Sequence, residues 1–186
     1  MTLYEHLSVL FSIVIGLGLT HILAYVHELA RARDRIHFHW LPITWACLVF
    51  VSLVQWWWSS FTFNTRDSWN FFYFLFVFMR PVVSYMSATF VLPRIEPAAS
   101  YDLREHYFDT RHWLFSLLAL GNTFDGVRRM LEGEALGDIA VWSNFASAAL
   151  LASLALTTNQ RYHATITLLT VSLFVAFLIR AALTLA

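Results

Sequence analysis

The stretch Trp69-Asn70-Phe71-Phe72-Tyr73-Phe74-Leu75-Phe76-Val77-Phe78-Met79-Arg80-Pro81-Val82-Val83-Ser84-Tyr85-Met86-Ser87-Ala88-Thr89-Phe90-Val91-Leu92 decides how the rest of the chain is read. It is long enough as a helix to cross a hydrocarbon core of about 30 Å. Its one formal charge, Arg80, lies near the middle. The whole chain agrees: of 186 residues, 59% are hydrophobic and 13% charged, against roughly 25% charged in an ordinary soluble domain. Mean hydropathy is +0.60. Too little charge is present to cover a soluble surface. The expectation is an all-α polytopic membrane bundle of about six transmembrane helices, forming a single domain over 1–186.

Working outward, other apolar stretches cover about 7–29, 40–62, 135–157 and 162–183, beside 69–92 itself. A sixth, about 112–131, is weaker, because Asn122, Asp125, Arg128 and Arg129 crowd its second half. Pro93 and Pro97 are expected to stop the third span. The segment about 101–111 places Leu103 and Tyr107 on one side and charges on the other, which predicts an interfacial helix leading into the fourth span. The start lacks a basic n-region, so the first apolar segment is expected to be retained.

Net charge is zero, with twelve Arg against twelve acidic residues and no Lys. No basic patch for nucleic acid results. Cys47 is the sole cysteine, which excludes an intrachain disulfide. With six spans, seven Arg (31, 33, 35, 94, 104, 111 and 161) share one side and four (66, 128, 129 and 180) the other. That bias places both termini outside.

Two helices carry small residues at close spacing. Ser8, Ser12, Gly16 and Thr20 form a stripe on the first span, expected to let a neighbouring helix approach, inside the bundle in the first instance and otherwise between subunits. The fifth span, with Ser143, Ala146, Ser147, Ala148, Ala149, Ala152, Ser153 and Ala155, is expected in the interior.

Arg80 is the most informative single residue. It falls about 16–18 Å from either end of its span, near the midplane, where an unpaired guanidinium costs several kcal/mol. Pro81 removes a backbone donor beside it, and helix breaks next to midplane charges are found at transport sites. Counting along the third and fourth spans from their shared connection puts Arg80 about 18 Å deep and Asp125 about 19–20 Å deep. An intramembrane Arg80–Asp125 pair is therefore expected, with Asn122 as a third member. Such a pair either fixes helix register or lines a polar path for an anionic or protonatable solute.

The histidines provide the enzyme alternative. His27, His37, His39, His106, His112 and His163 gather toward one face, with His21 deeper on the same side. His106, Asp109 and His112 are weak candidates for a metal, and imidazoles can also ligate haem. No paired-histidine or Glu-x-x-His pattern supports either, so no cofactor is predicted. Triads, phosphate loops and dinucleotide fingerprints are missing as well.

Ser12-Ile13-Val14-Ile15-Gly16-Leu17-Gly18-Leu19-Thr20-His21 and Asp102-Leu103-Arg104-Glu105-His106-Tyr107-Phe108 together resemble a group of small, functionally uncharacterised bacterial integral membrane proteins. The resemblance implies a bacterial inner-membrane location and no particular activity. The leading expectation is a small channel or carrier with a midplane polar site formed by Arg80, Pro81, Asp125, Asn122 and His21. The alternatives are a structural or signalling subunit that binds other membrane subunits or its own copies, and a haem or metal redox enzyme. The lipid bilayer is the one partner common to all three.

Overall fold

The computed structural model describes residues 3–66, 68–95, 100–135 and 137–183, with side chains up to Ile179. Pro97 and the Arg180 side chain lie outside the described residues. Six helices form the described chain: α1 (Leu3–Arg31), α2 (Trp40–Ser60), α3 (Phe71–Val91), α4 (Leu103–Leu131), α5 (Ile139–Leu156) and α6 (Gln160–Leu183). The helical ends follow from local chemistry. Asn70 accepts the Tyr73 N–H at 2.8 Å, and Asp102 accepts the Arg104 N–H at 2.7 Å. Asp138 and Asn159 do the same for α5 and α6. Each supplies an acceptor to a backbone donor that has no partner within its own helix.

Five stretches are long and apolar enough to cross a membrane: Tyr4–Arg31, Trp40–Thr65, Phe71–Val91, Ile139–Leu156 and Gln160–Ile179. The chain is a multi-pass membrane protein. Helix α4 is not in this set. It packs against α3, α5 and α2, and α3 receives the carboxylate of its Asp125. It is also uninterrupted from Leu103 to Leu131. The structure thus does not separate an interfacial helix at 101–111 from a fourth span at 112–131. Leu103, Tyr107, Leu114 and Phe115 are all buried on one continuous face, and no proline intervenes to break it.

The connections α1–α2 and α3–α4 meet in a short parallel pairing of β1 (Ile36–His37) with β2 (Tyr101–Asp102). His39 Nε2 lies 3.3 Å from the Gln160 amide, which draws the α5–α6 connection to the same end of the bundle. At the opposite end, a 3₁₀ turn, Phe61–Thr65, leads from α2 to α3. Between the ends runs a core that includes Phe11, Leu41, Trp45, Leu53, Val77, Leu114, Phe115 and Leu154.

The small-residue stripe on α1 does not make the close internal approach. Ser12 and Thr20 are exposed, and a Cβ on Gly16 would meet nothing within 4 Å. The approach occurs at Gly18, where a Cβ would come 3.0 Å from the Leu53 side chain and 3.6 Å from the Tyr85 backbone. The stripe and Gly18 lie on different sides of the helix, and the bulky Phe11, Ile15 and Ile22 hold the side of Gly18 against the core. Helix α5 is likewise not central. It turns Val141, Ala148, Leu151, Leu154 and Ala155 inward, while Trp142, Ser143, Ala146 and Ala149 are exposed.

Candidate functional site

Helix α3 presents Tyr73, Phe76, Arg80 and Ser84 at spacings of three and four, and so along one side. Helix α4 answers with Arg128, Asp125, Phe124 and Gly121, and its C-cap with Glu132. Near the middle of this seam, Arg80 Nε donates to Asp125 Oδ2 at 2.8 Å. Arg80 Nη1 donates to Ser84 Oγ, and that hydroxyl donates to the Arg80 carbonyl at 3.1 Å. The helix rise puts Arg80 about 13.5 Å from Phe71 and about 16.5 Å from Val91.

Gly121 makes this geometry fit. A Cβ there would lie 3.2 Å from the Arg80 guanidinium carbon and from Nη1, tighter than ordinary van der Waals contact. The guanidinium thus rests against bare α4 backbone. The Arg80 and Asp125 side chains retain 16% and 19% of their exposure, so the pair is enclosed without being sealed. The ion pair is one-pronged. Nη2 and Oδ1 make no hydrogen bond among the described residues, which leaves a donor and an acceptor for a third party.

Asn122 does not join the pair; its Nδ2 donates to the Leu118 carbonyl at 2.9 Å within its own helix. Pro81 is buried inside α3, which continues through it, and its missing N–H frees the Val77 carbonyl. His21 stands apart from the pair, on the α1 side of α3. Its ring lies 4.2 Å from that of Tyr25 and 6.3 Å from that of Tyr85, and its enclosed Nε2 has no partner among the described residues.

The weak metal candidates do not converge. His106 Nε2 lies 3.3 Å from the Phe90 carbonyl, while Asp109 and His112 are exposed. Among the described residues, no three His, Cys, Asp or Glu side chains group as a metal would require.

Two clusters escaped the reading of the sequence. Above the ion pair, Phe76 and Phe124 meet edge to face at 5.2 Å. Beyond them Tyr73 donates to Glu132 at 2.7 Å, Glu132 pairs with Arg128, and the Arg66 guanidinium lies 4.0 Å from the Tyr73 ring centre. At the β1–β2 end, His163 is wholly buried between Tyr107, Phe108 and Phe115. Its Nε2 donates to the Thr157 carbonyl at 3.0 Å, so Nδ1 accepts the Tyr107 hydroxyl at 2.9 Å. Beside it Trp45 Nε1 donates to Thr167 Oγ1 at 3.0 Å. The one available signal was a histidine and a threonine one turn apart on α6; their partners lie far away in sequence.

Outside the spans, Asp102 and His39 are among the groups shifted from their ordinary values. Asp102 is held below the usual carboxylate range by the backbone N–H bonds of the α4 start. His39 is pushed down by burial and by nearby Arg104, with Asp102 opposing. No known protein family, curated protein or solved structure matches the chain.

Proposed function

We propose that this chain is a small membrane carrier or channel, seated in the bacterial inner membrane with both termini external. Its site is the Arg80–Asp125 pair, and its solute is a small anionic or protonatable molecule. The observation that carries the reading is the one-pronged contact of Arg80 Nε on Asp125 Oδ2, at 2.8 Å near the middle of α3. A net charge at that depth is costly, so the site must stay close to neutral in every state it visits. Two states satisfy this. In one, the arginine holds the aspartate. In the other, the aspartate takes up a proton and the arginine holds the anion of the solute. Exchange between them moves an anion with a proton and never strands the guanidinium.

The test uses purified protein in liposomes with an entrapped pH-sensitive dye, challenged with gradients of potassium succinate or potassium phosphate at about pH 5, where both anions are chiefly singly charged. Anion-driven proton movement above that of empty liposomes is expected. Arg80→Gln should abolish transport, and Asp125→Asn should remove the proton coupling, with helicity retained in both. Wild-type protein that moves no anion of the panel would overturn the proposal. It would leave the pair as a register pin of a structural or signalling subunit, a role for which its close fit on Gly121 also suits it.

A further inference from the structure

The α3–α4 seam continues from the ion pair to the end of the bundle formed by the 3₁₀ turn, and its residues alternate in chemistry. Arg66, Tyr73, Arg128 and Glu132 form an outer polar rung. Phe76 and Phe124 form an apolar rung at 5.2 Å. Arg80 and Asp125 form the inner polar rung. Tyr73 and Arg80 are seven residues apart, about 10.5 Å along the helix, so one phenyl pair separates the two polar rungs. The α3 and α4 side chains of these rungs are partly buried, and Glu132, at the C-cap of α4, is exposed.

Arg128 supplies the second observation. Its Nε is shut off from solvent and has no acceptor among the described residues, although Nη1 engages Glu132 and the guanidinium lies 5.4 Å from the Phe63 ring centre. An enclosed cationic donor without an acceptor is costly, and an oxyanion would satisfy it. With Arg129 bound to Glu134 nearby, this end holds the guanidiniums of Arg66, Arg128 and Arg129 together with the carboxylates of Glu132, Glu134, Asp138 and Glu5, so the positive character is local to Arg128 rather than a property of the whole end.

We infer that the outer half of the α3–α4 seam is the route by which a small oxyanion, carboxylate or phosphate, reaches Arg80. Arg128 is its first binding residue and Phe76–Phe124 the gate. The inference rests on the proposed transport role of Arg80. Phenyl edges in contact exclude water and ions, and a small rotation of either ring opens the rung without breaking a polar contact. The two guanidiniums flanking the gate match a planar or tetrahedral oxyanion in either position.

Thiol labelling tests the route without relying on transport. In a Cys47→Ser background, Phe76→Cys and, separately, Phe124→Cys are exposed in liposomes to anionic or cationic methanethiosulfonates on both faces. The anionic reagent should be favoured about tenfold over its ratio at the control Ala135→Cys, exposed in the connection between α4 and α5. Arg128→Gln should remove that preference, and succinate or phosphate should slow the anionic reaction, showing which oxyanion competes. No reaction at either site, or equal reaction with both reagents, overturns the route, even if Arg80-dependent transport persists through another path. Anion preference without any transport supports the seam as an oxyanion site and removes the carrier reading alone.

Discussion

Two side chains on neighbouring helices, Arg80 and Asp125, carry opposite charges where neither tolerates isolation. Removing one partner of an enclosed pair leaves the other uncompensated, which costs on the order of 3 kcal/mol. Arg80→Asp and Asp125→Arg should each lower the unfolding free energy in mixed micelles by about that much, and the double reversal should recover part of it. Single variants as stable as the wild type, or a double variant no better than the two losses combined, would sink the pairing as an energetic unit. The matching heights of the two residues along α3 and α4 were legible from counting along helices, because helical rise is fixed. The direction of Asn122 was not, since an amide can turn back to its own helix carbonyl at no cost in contacts. Gly121 was equally silent: a glycine in an apolar segment says nothing of the guanidinium that will lie on it.

At the scale of the element, α4 is the helix whose formation most needs local help, since it is the one long helix outside the apolar set. Its N-cap, Asp102, is depressed in the folded state by the bonds it accepts from Arg104 and Glu105 N–H. The stability it contributes is therefore complete above the ordinary carboxylate pKa of about 4. It is lost as pH falls through the lower folded value. Asp102→Asn, which keeps an acceptor, should flatten the pH dependence of α4 amide protection between about pH 5 and pH 3. An unchanged acid profile would show that the cap does not govern that end. The sequence marked this region as amphipathic, from Leu103 and Tyr107. It could not show whether the amphipathic turns end before the polar half begins, because a continuous helix and two short ones share the same pattern until a neighbour covers one face.

Across the whole molecule, α6 is held chiefly near its start, where His163, Ile166 and Thr167 are buried while Leu168, Leu173 and Ile179 face outward. The Tyr107–His163 bond ties it to α4, and the Trp45–Thr167 bond ties it to α2. Tyr107→Phe keeps the ring but leaves His163 Nδ1 buried without a donor, at a cost of about 1–3 kcal/mol. Faster hydrogen exchange in the first turns of α6, with α3 unaffected, is expected by mass spectrometry. Wild-type exchange in α6 would mean that packing alone holds it. The sequence by itself determined that the chain is helical and membrane-bound, where its apolar stretches run, and how far along their helices Arg80 and Asp125 lie. Those properties follow from composition and from the constant rise of a helix. Which side of each helix meets which neighbour belonged to the tertiary structure: Gly18 rather than Gly16 at the close approach, His163 beneath Tyr107, Arg128 over Phe63. Side-chain partners remote along the chain are set by the rotation of whole helices about their axes, and a single sequence leaves that rotation free.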